Sequence, residues 1–224
     1  ALTVDSMVQL HRHNEHVRYV VAFQNWLKPA GASFDHLHKQ LVAIDEVGAD
    51  NESVLPKAVL DPGIFNRWGP DFAVEHGLVL ARNEGAVMTV GFGHRYPSVE
   101  VWSTGRADQP WRVDDDGIDA MSDLLHAAHV AVSDDVPANE EWHYRPIGTG
   151  VPVPWRIILK LRISTLAGFE GGTKIYVNTI SPTTLTAMLL PKLFEARATG
   201  RIAPMDLGAE CHIEPGVLRA GRID

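Results

Sequence analysis

Apolar residues recur along the chain at two spacings, one typical of strands and the other of helices. Runs that are rich in β-branched and aromatic residues, or that alternate apolar with polar residues, predict strands. These runs cover residues 17–25, 34–44, 76–92, 98–104, 155–164 and 173–180. The run 76–92 is interrupted by a turn at Asn83-Glu84-Gly85, so it predicts a hairpin.

Helical spacing of apolar residues appears in three segments, at residues 5–16, 117–135 and 181–201. The last of these begins with Ser181, a residue type favoured at helix N-caps. Pro191 inside it predicts a kink or a broken helix, because proline removes a backbone hydrogen bond. The order of elements predicts an α+β fold, in which a mostly antiparallel sheet is flanked by helices.

A stretch dense in proline and glycine divides the chain. Residues 46–70 support at most short helical pieces. We therefore expect a boundary in this stretch, with residues 1–60 and 61–224 as separate units.

Composition and charge narrow the function. The chain has 20 Lys and Arg against 28 Asp and Glu and contains no long basic run, so nucleic acid is an unlikely partner. Cys211 is the only cysteine, which excludes an intrachain disulfide and makes a reducing cytoplasm the simplest location. The apolar runs fall far short of the roughly 20 residues that a membrane span needs.

The most informative stretch is residues 23–46, FQNWLKPAGASFDHLHKQLVAIDE. If residues 36–42 form a strand, its period of two places His36, His38 and Gln40 on one face. A neutral histidine can attack phosphorus and carry a nucleotidyl group, provided that one ring nitrogen is free and the other is held by a hydrogen bond. A histidine pair of this spacing also suits a metal site or two interior side chains, and all three interpretations stay open on spacing alone.

Neighbouring residues add phosphate-binding chemistry. The small-residue turn at 29–33 offers approachable backbone N–H groups and the Ser33 hydroxyl. Gln40 can donate hydrogen bonds from its amide but cannot give up a proton, which suits a phosphate leaving group. Asn25 precedes the turn and reaches the same region only if the turn folds back.

Asn25, the AGAS turn at 30–33 and the pattern His36-x-His38-x-Gln40 together resemble a known active site. The family is the galactose-1-phosphate uridylyltransferases of the histidine-triad (HIT) superfamily, which includes the dinucleoside tetraphosphate phosphorylases. Residues 159–182, LKLRISTLAGFEGGTKIYVNTISP, are similar to a segment in the second half of the same family. The resemblance implies two HIT-like halves, with residues 1–60 ending the first half and residues 61–224 forming the second, and we expect a bacterial branch of the family.

The resemblance also implies a role for each matching residue. His38 would be the nucleophile and Gln40 would hold the transferred phosphoryl group. The substrate-binding positions would be Asn25, Gly31, Ser33, Gly168, Phe169 and Glu170, the last three on the sugar-phosphate side, sometimes across a dimer interface. His36 would be a zinc ligand. The implied partners are a nucleotide or nucleotide sugar and a second copy of the chain, with no nucleic acid and no membrane.

Departures from the family pattern leave alternatives open. Leu37 replaces the usual proline, and Asp35 precedes the first histidine where a proline is frequent. The chain starts in a helical pattern without Met, so we expect the upstream part of the family domain, with the other zinc ligands, to be absent. Alternatives to uridylyl transfer are a dinucleoside polyphosphate phosphorylase, a silent nucleotide-binding protein, or one half of an assembly. A glutamine at position 40, where hydrolytic relatives have a third histidine, favours transfer over hydrolysis.

Two further groups have simpler interpretations. His126 and His129 have metal-compatible spacing on a helix, but they are expected to face solvent. Trp142 to Arg145 could line a pocket that stacks on a base, although aromatic residues in a strand are more often core.

Overall fold

The computed structural model describes residues 1–34 and 36–221; Asp35 and residues 222–224 lie outside this description. The described strands form one eight-stranded sheet in the order β2-β1-β6-β7-β5-β4-β3-β8, with every neighbouring pair antiparallel. The strands are β1 Tyr19–Trp26, β2 Lys39–Ile44, β3 Val79–Arg82, β4 Ala86–Gly91, β5 Ser98–Ser103, β6 Ala138–His143, β7 Arg156–Leu161 and β8 Asp206–Leu207. The predicted α+β fold with an antiparallel sheet is confirmed.

Helices flank this sheet, and two of them begin at a side-chain cap. They are α1 Leu2–His13, α2 Ala49–Leu60, α3 Ile64–Arg67, α4 Pro70–Glu75, α5 Asp115–Val132, α6 Gly168–Thr173 and α7 Pro182–Ala198. Asp114 caps α5 by accepting a hydrogen bond from the Gly117 N–H, and Ser181 caps α7 by accepting one from the Thr184 N–H. No described helix combines the length and apolar character needed to cross a membrane.

The two faces of the sheet have different chemistry because side chains alternate along each strand. One face, the helical face, packs under α5 and α7 and carries buried apolar residues such as Met88, Val101 and Leu159. The opposite face, the polar face, carries amide and charged side chains at its centre. These are Asn25, Glu100, Asn139, Glu141, His143, Arg156 and Lys160. The candidate site therefore has to be sought on the polar face.

A buried carboxylate on the helical face ties the edge strand β2 to the sheet. Glu140 is 2% exposed and accepts hydrogen bonds from Lys39, from His129 Nε2 at 3.0 Å and from Trp142 Nε1 at 2.6 Å. Burial by itself would raise the pKa of Glu140, but these donors lower it to about 2. The expectation that His129 faces solvent is wrong, because its ring binds this carboxylate.

Several predicted boundaries are wrong. The strand expected over 34–44 begins at Lys39, because its pairing with β1 ends at the Gln24–Lys39 pair. The strand expected over 173–180 is absent from the sheet: Thr173 ends α6, and the following residues are irregular up to α7. A strand propensity without a neighbouring strand edge does not produce a strand.

The remaining differences concern helices. The first helix covers residues 2–13 instead of 5–16, and α7 continues past Pro191 without a break. The stretch 46–70 holds a twelve-residue helix, α2, and not only short pieces. The division of the chain at residues 60 and 61 stays a prediction, and the strands of both parts belong to one sheet through the pairing of β1 with β6.

Stability should fall as acid protonates Glu140. Its folded-state pKa of about 2 lies below the ordinary 4.5, so its stabilisation is complete above pH 4.5 and is lost as the pH falls from about 4.5 towards 2. Glu140→Gln should therefore cost on the order of 3 kcal/mol of unfolding free energy at pH 7 and progressively less below pH 4.5. Urea denaturation at pH 7, 4.5 and 3 measures this, with the exposed Glu75→Gln as control. A cost for Glu140→Gln that does not change with pH would contradict the assignment.

Candidate active site

The turn after β1 folds back on its own strand. Its short 3₁₀ helix, Lys28–Ala30, ends at Gly31, which has φ of +88° and donates its N–H to the Lys28 carbonyl at 2.9 Å. Such a left-handed conformation favours glycine. A Cβ placed on Gly31 would lie 3.9 Å from Asn25 Nδ2, so the asparagine and the small-residue turn share one location. The turn therefore folds back as the sequence analysis required for Asn25 to reach it.

Two residues that the sequence did not single out hold this arrangement. Asn139 on β6 lies opposite Asn25 in the register and donates from Nδ2 to Asn25 Oδ1 and to the Ala30 carbonyl, both at 2.7 Å. Arg162 donates from Nη1 to Asn139 Oδ1 at 2.8 Å. No local signal identifies Asn139, because its role depends on strand pairing across more than a hundred residues. Arg162 lies inside the second family-like segment, and this position was the only feature of the sequence that pointed to a role for it.

Among the residues that the structure describes, His38 has a hydrogen-bond partner at one ring nitrogen and none at the other. Its Nδ1 lies 3.0 Å from the backbone carbonyl of His36. Because a carbonyl can only accept, Nδ1 carries the proton in the neutral ring and Nε2 keeps its lone pair. The ring is half-buried and 5.2 Å from the His36 ring, measured between centroids. The condition set from the sequence for a phosphorus-attacking histidine is met by this geometry.

The other residues of the motif separate into two groups. Gln40 lies opposite Phe23 in the β1–β2 register, so its side chain shares the polar face with Asn25. His36 and Ser33 are exposed and lie before β2, which begins at Lys39. Strand alternation therefore does not align His36 with Gln40, as was expected.

A cavity of about 520 Å³ opens on the polar face between β1, β6 and the segment 47–51. Its polar lining consists of Tyr19, Asn25, Asp50, Asn51, Asn139, Glu141, His143 and Arg162. Phe23 contributes an aromatic side chain to the wall, and His143 is one of the residues proposed from sequence as a pocket wall. The Trp142 side chain lies on the helical face, where it donates to Glu140 and belongs to the core. A larger cavity of about 620 Å³ lies between the β3–β4 turn and the start of α5, but none of the predicted site residues lines it.

Glu141, which lines the 520 Å³ cavity, has a cationic partner. Glu141 accepts a hydrogen bond from Lys160 Nζ at 2.6 Å. Burial opposes ionisation of Glu141, but His143 and Lys160 lower its pKa to about 2. Burial lowers the pKa of His143, and the charge of Arg156 acts in the same direction. The cavity therefore holds a neutral imidazole beside an ionised carboxylate that already has a cationic partner.

The second family-like segment lies apart from this cavity. Gly168, Phe169 and Glu170 start the short helix α6, and the Phe169 side chain is 54% exposed. Glu170 accepts a hydrogen bond from the Ala167 N–H at 3.0 Å, an interaction within the helix start. Within one chain, the structure does not bring these three residues into the cavity lining.

The histidine pair does not form a metal site by itself. Within residues 1–34 and 36–221, no three side chains of His, Cys, Asp or Glu lie together as metal ligands. A closed zinc site takes four ligands. The residues described here therefore do not fit a complete zinc site, and zinc ligation by His36 stays a prediction that needs ligands from elsewhere.

The tautomer of His38 is directly measurable. The neutral ring should carry its proton on Nδ1, because the His36 carbonyl accepts from that nitrogen. Long-range ¹⁵N–¹H spectra at pH 8, assigned with His38→Asn, should report the Nδ1–H form for His38. The exposed His13 provides the comparison signal. A dominant Nε2–H form at His38 would mean that the hydrogen bond is absent in solution.

Comparison with known proteins identifies the family and the fold. The model of a domain of unknown function, DUF4921, matches residues 1–220. No curated protein matches the chain. Among solved structures, an ADP-glucose phosphorylase from Arabidopsis thaliana with bound ADP-glucose is 21% identical, with a TM-score of 0.72, over 84% of this chain and 64% of that chain. The chain thus spans less than two thirds of that enzyme.

Two further structures give the same result. A GalT-like protein from Arabidopsis thaliana is 19% identical, with a TM-score of 0.71 over 84% of this chain and 66% of that chain. A uridylyltransferase is 17% identical, with a TM-score of 0.69 over 87% of this chain and 66% of that chain. At these identities the likeness establishes the fold, and the fold expected from the family resemblance is confirmed. Because its model matches almost the whole chain, the protein belongs to the DUF4921 family, and it has the fold of the galactose-1-phosphate uridylyltransferase-like HIT proteins.

Proposed function

We propose that the protein is a nucleotidyltransferase that works through a covalent nucleotidyl-histidine at His38. The observation that carries the proposal is the ring of His38, whose Nδ1 is hydrogen-bonded to the His36 carbonyl and whose Nε2 is unprotonated. A lone pair on Nε2 is what attack on phosphorus requires. The likeness of the fold to an ADP-glucose phosphorylase and a uridylyltransferase supports the same class of reaction.

The proposed reaction has two transfers. Nε2 of His38 attacks the α-phosphorus of a nucleotide sugar, forming a P–N bond while the P–O bond to the sugar 1-phosphate breaks. The leaving sugar phosphate carries its negative charge away and needs no proton. An acceptor phosphate oxygen then attacks the same phosphorus and the P–N bond breaks, which restores the neutral ring. Gln40 donates hydrogen bonds to the phosphoryl oxygens, and Asn25, Gly31 and Ser33 bind the phosphates from the turn.

The substrate is proposed to be a nucleotide sugar, with hexose 1-phosphate as acceptor or product. One structural relative was crystallised with ADP-glucose, which supports a donor of this size and charge. A dinucleoside polyphosphate phosphorylase is the alternative, since its donor has the same α-phosphorus. A cytoplasmic location is part of the proposal, because the only cysteine, Cys211, is free.

The proposed active protein is a homodimer. Residues 163–177 expose a run of apolar side chains that a monomer leaves in water. Their exposed fractions are 41% for Ile163, 40% for Leu166, 54% for Phe169, 61% for Ile175 and 57% for Val177. Burial of these side chains against a second copy would bring Gly168, Phe169 and Glu170 to the partner's cavity, which one chain alone does not do. Zinc is proposed only as a structural ion at His36, with its other ligands outside the described residues 1–34 and 36–221.

An adduct experiment tests the chemistry. Protein incubated with UDP-glucose or ADP-glucose labelled at the α-phosphate should form an acid-labile, base-stable adduct on His38, as expected for a phosphoramidate. His38→Asn should abolish the adduct, and the exposed His126→Asn on α5 should retain it. Intact-mass and peptide mass spectrometry locate the label.

Two outcomes would contradict this proposal. An adduct that persists in His38→Asn would assign the chemistry to another residue. Absence of any adduct with both sugar nucleotides and with a labelled dinucleoside tetraphosphate, together with calorimetric binding of the same compounds, would select the silent binding protein.

Sedimentation tests the proposed dimer. Phe169→Glu places a charge in the exposed apolar run and should raise the dimer dissociation constant by about tenfold or more, because a buried unpaired charge is costly. Leu60→Glu, at an 87% exposed apolar residue that ends α2, is the matched control and should leave the constant unchanged. A monomeric wild-type protein at micromolar concentration, or equal weakening by both variants, would overturn the assignment.

A further inference from the structure

The hydrogen bonds around Asn25 have a fixed direction. Arg162 is an obligate donor, so the atom of Asn139 that faces its Nη1 at 2.8 Å must be the carbonyl oxygen Oδ1. The backbone carbonyl of Ala30 is an obligate acceptor, so the atom of Asn139 that faces it at 2.7 Å must be the amide nitrogen Nδ2. Both neighbours therefore demand the same orientation of the Asn139 carboxamide.

This orientation dictates the orientation of Asn25 in turn. Asn139 Nδ2 donates to Asn25 at 2.7 Å, so the accepting atom of Asn25 must be Oδ1. The amide nitrogen of Asn25 is then left for other partners, and it faces the turn, 3.9 Å from the Cβ position of Gly31. An anion in the turn would meet N–H donors and not a carbonyl oxygen.

The surroundings of Asn139 and Arg162 point to an anionic ligand. Asn139 is 9% exposed, so its amide has little freedom to turn over. The Nε of Arg162 is buried and has no hydrogen-bond partner among the described residues, although its guanidinium lines the same cavity. Glu141, next on this face of β6, is already paired with Lys160 at 2.6 Å. Among the described residues, the amide nitrogen of Asn25 is an unused donor at this end of the cavity, and Arg162 adds a positive charge there.

We propose that Arg162 and Asn139 form a positioning relay that fixes the Asn25 carboxamide with its amide nitrogen towards the substrate phosphate. The inference rests on the proposed function, because it assigns a purpose to the phosphate-binding role of Asn25. Neither relay residue touches the reacting atoms. Asn139 acts through Asn25, and Arg162 acts through Asn139 and adds positive charge beside the anion.

Asn139→Asp tests the relay with an almost isosteric change. The new carboxylate would still accept from Arg162, but it has no donor for Asn25, so the Asn25 amide should turn over and present its carbonyl oxygen to the phosphate. The dissociation constant of ADP should rise by about tenfold or more, since a hydrogen bond to a charged group is lost and a repulsive contact replaces it. Adduct formation at saturating donor should change by less than about threefold, because His38 is untouched.

Asn66→Asp is the matched control. Asn66 Nδ2 donates to the Leu218 carbonyl at 3.0 Å and Asn66 Oδ1 accepts from the Leu218 N–H at 2.8 Å, remote from the cavity. This variant loses the same kind of amide donor and should bind ADP as the wild type does. If Asn139→Asp does not fold, the spectrum of the side-chain amides in the wild-type protein tests the relay instead. The Asn139 amide protons should exchange slowly with water, and the Asn25 amide signals should shift on addition of ADP.

The outcomes separate the relay from the reaction. Two results overturn the relay and leave the proposed function intact. One is that Asn139→Asp binds ADP as tightly as the wild type does. The other is that ADP does not shift the amide signals of Asn25. A wild type that neither binds ADP nor forms an adduct overturns the proposed function, and the substrate role of the relay with it.

Discussion

The antiparallel pairing of β1 with β6 decides which side of the sheet Asn139 and the carboxylates of Glu140 and Glu141 occupy. In this register Asn25 faces Asn139, and the neighbouring pair Gln24–Glu140 lies on the opposite side of the sheet. A slip by one residue would exchange the two faces of β6. Asn139 would then lie among apolar residues, and the carboxylate of Glu140 would lie in the cavity. This register therefore specifies both the candidate site and the contacts of Glu140 with Lys39 and His129 under α5.

Consecutive residues of β6 keep two carboxylates ionised on opposite faces. Burial opposes the ionisation of Glu140 and Glu141, yet local donors lower the pKa of each to about 2. The partner of Glu140 on β2 is Lys39, which directly follows His38 in the chain. His38, the proposed nucleophile, is therefore held by the buried ion pair of the next residue and by the hydrogen bond to the carbonyl of His36, two residues earlier. A half-exposed ring gains an ordered position in this way without being buried.

Local chemistry could be predicted from the sequence, and long-range pairing could not. The cap of α7 at Ser181 follows from residue type and the next few positions, and it is confirmed. The alternation argument failed for His36, because a strand continues only as far as a partner strand pairs with it. Asn139 was missed for the same reason, since its importance exists only opposite Asn25. The family resemblance supplied the fold because it contains the pairing information that periodicity does not.

Leu37 illustrates how much a departure from the family pattern changes. The hydrogen bond from His38 Nδ1 to the His36 carbonyl spans this residue, where the family usually has proline. Proline would fix its own φ and restrict the preceding residue, and so would preorganise the bond. Leu37 has neither restriction, and with 65% of its surface exposed it gains little order from packing. The cost is backbone entropy of about 1 kcal/mol, less than a tenfold change in the population of the bonded ring. Nε2 of His38 and the amide of Gln40 are unaffected, so the departure can slow the proposed transfer but does not remove any group on which that proposal depends.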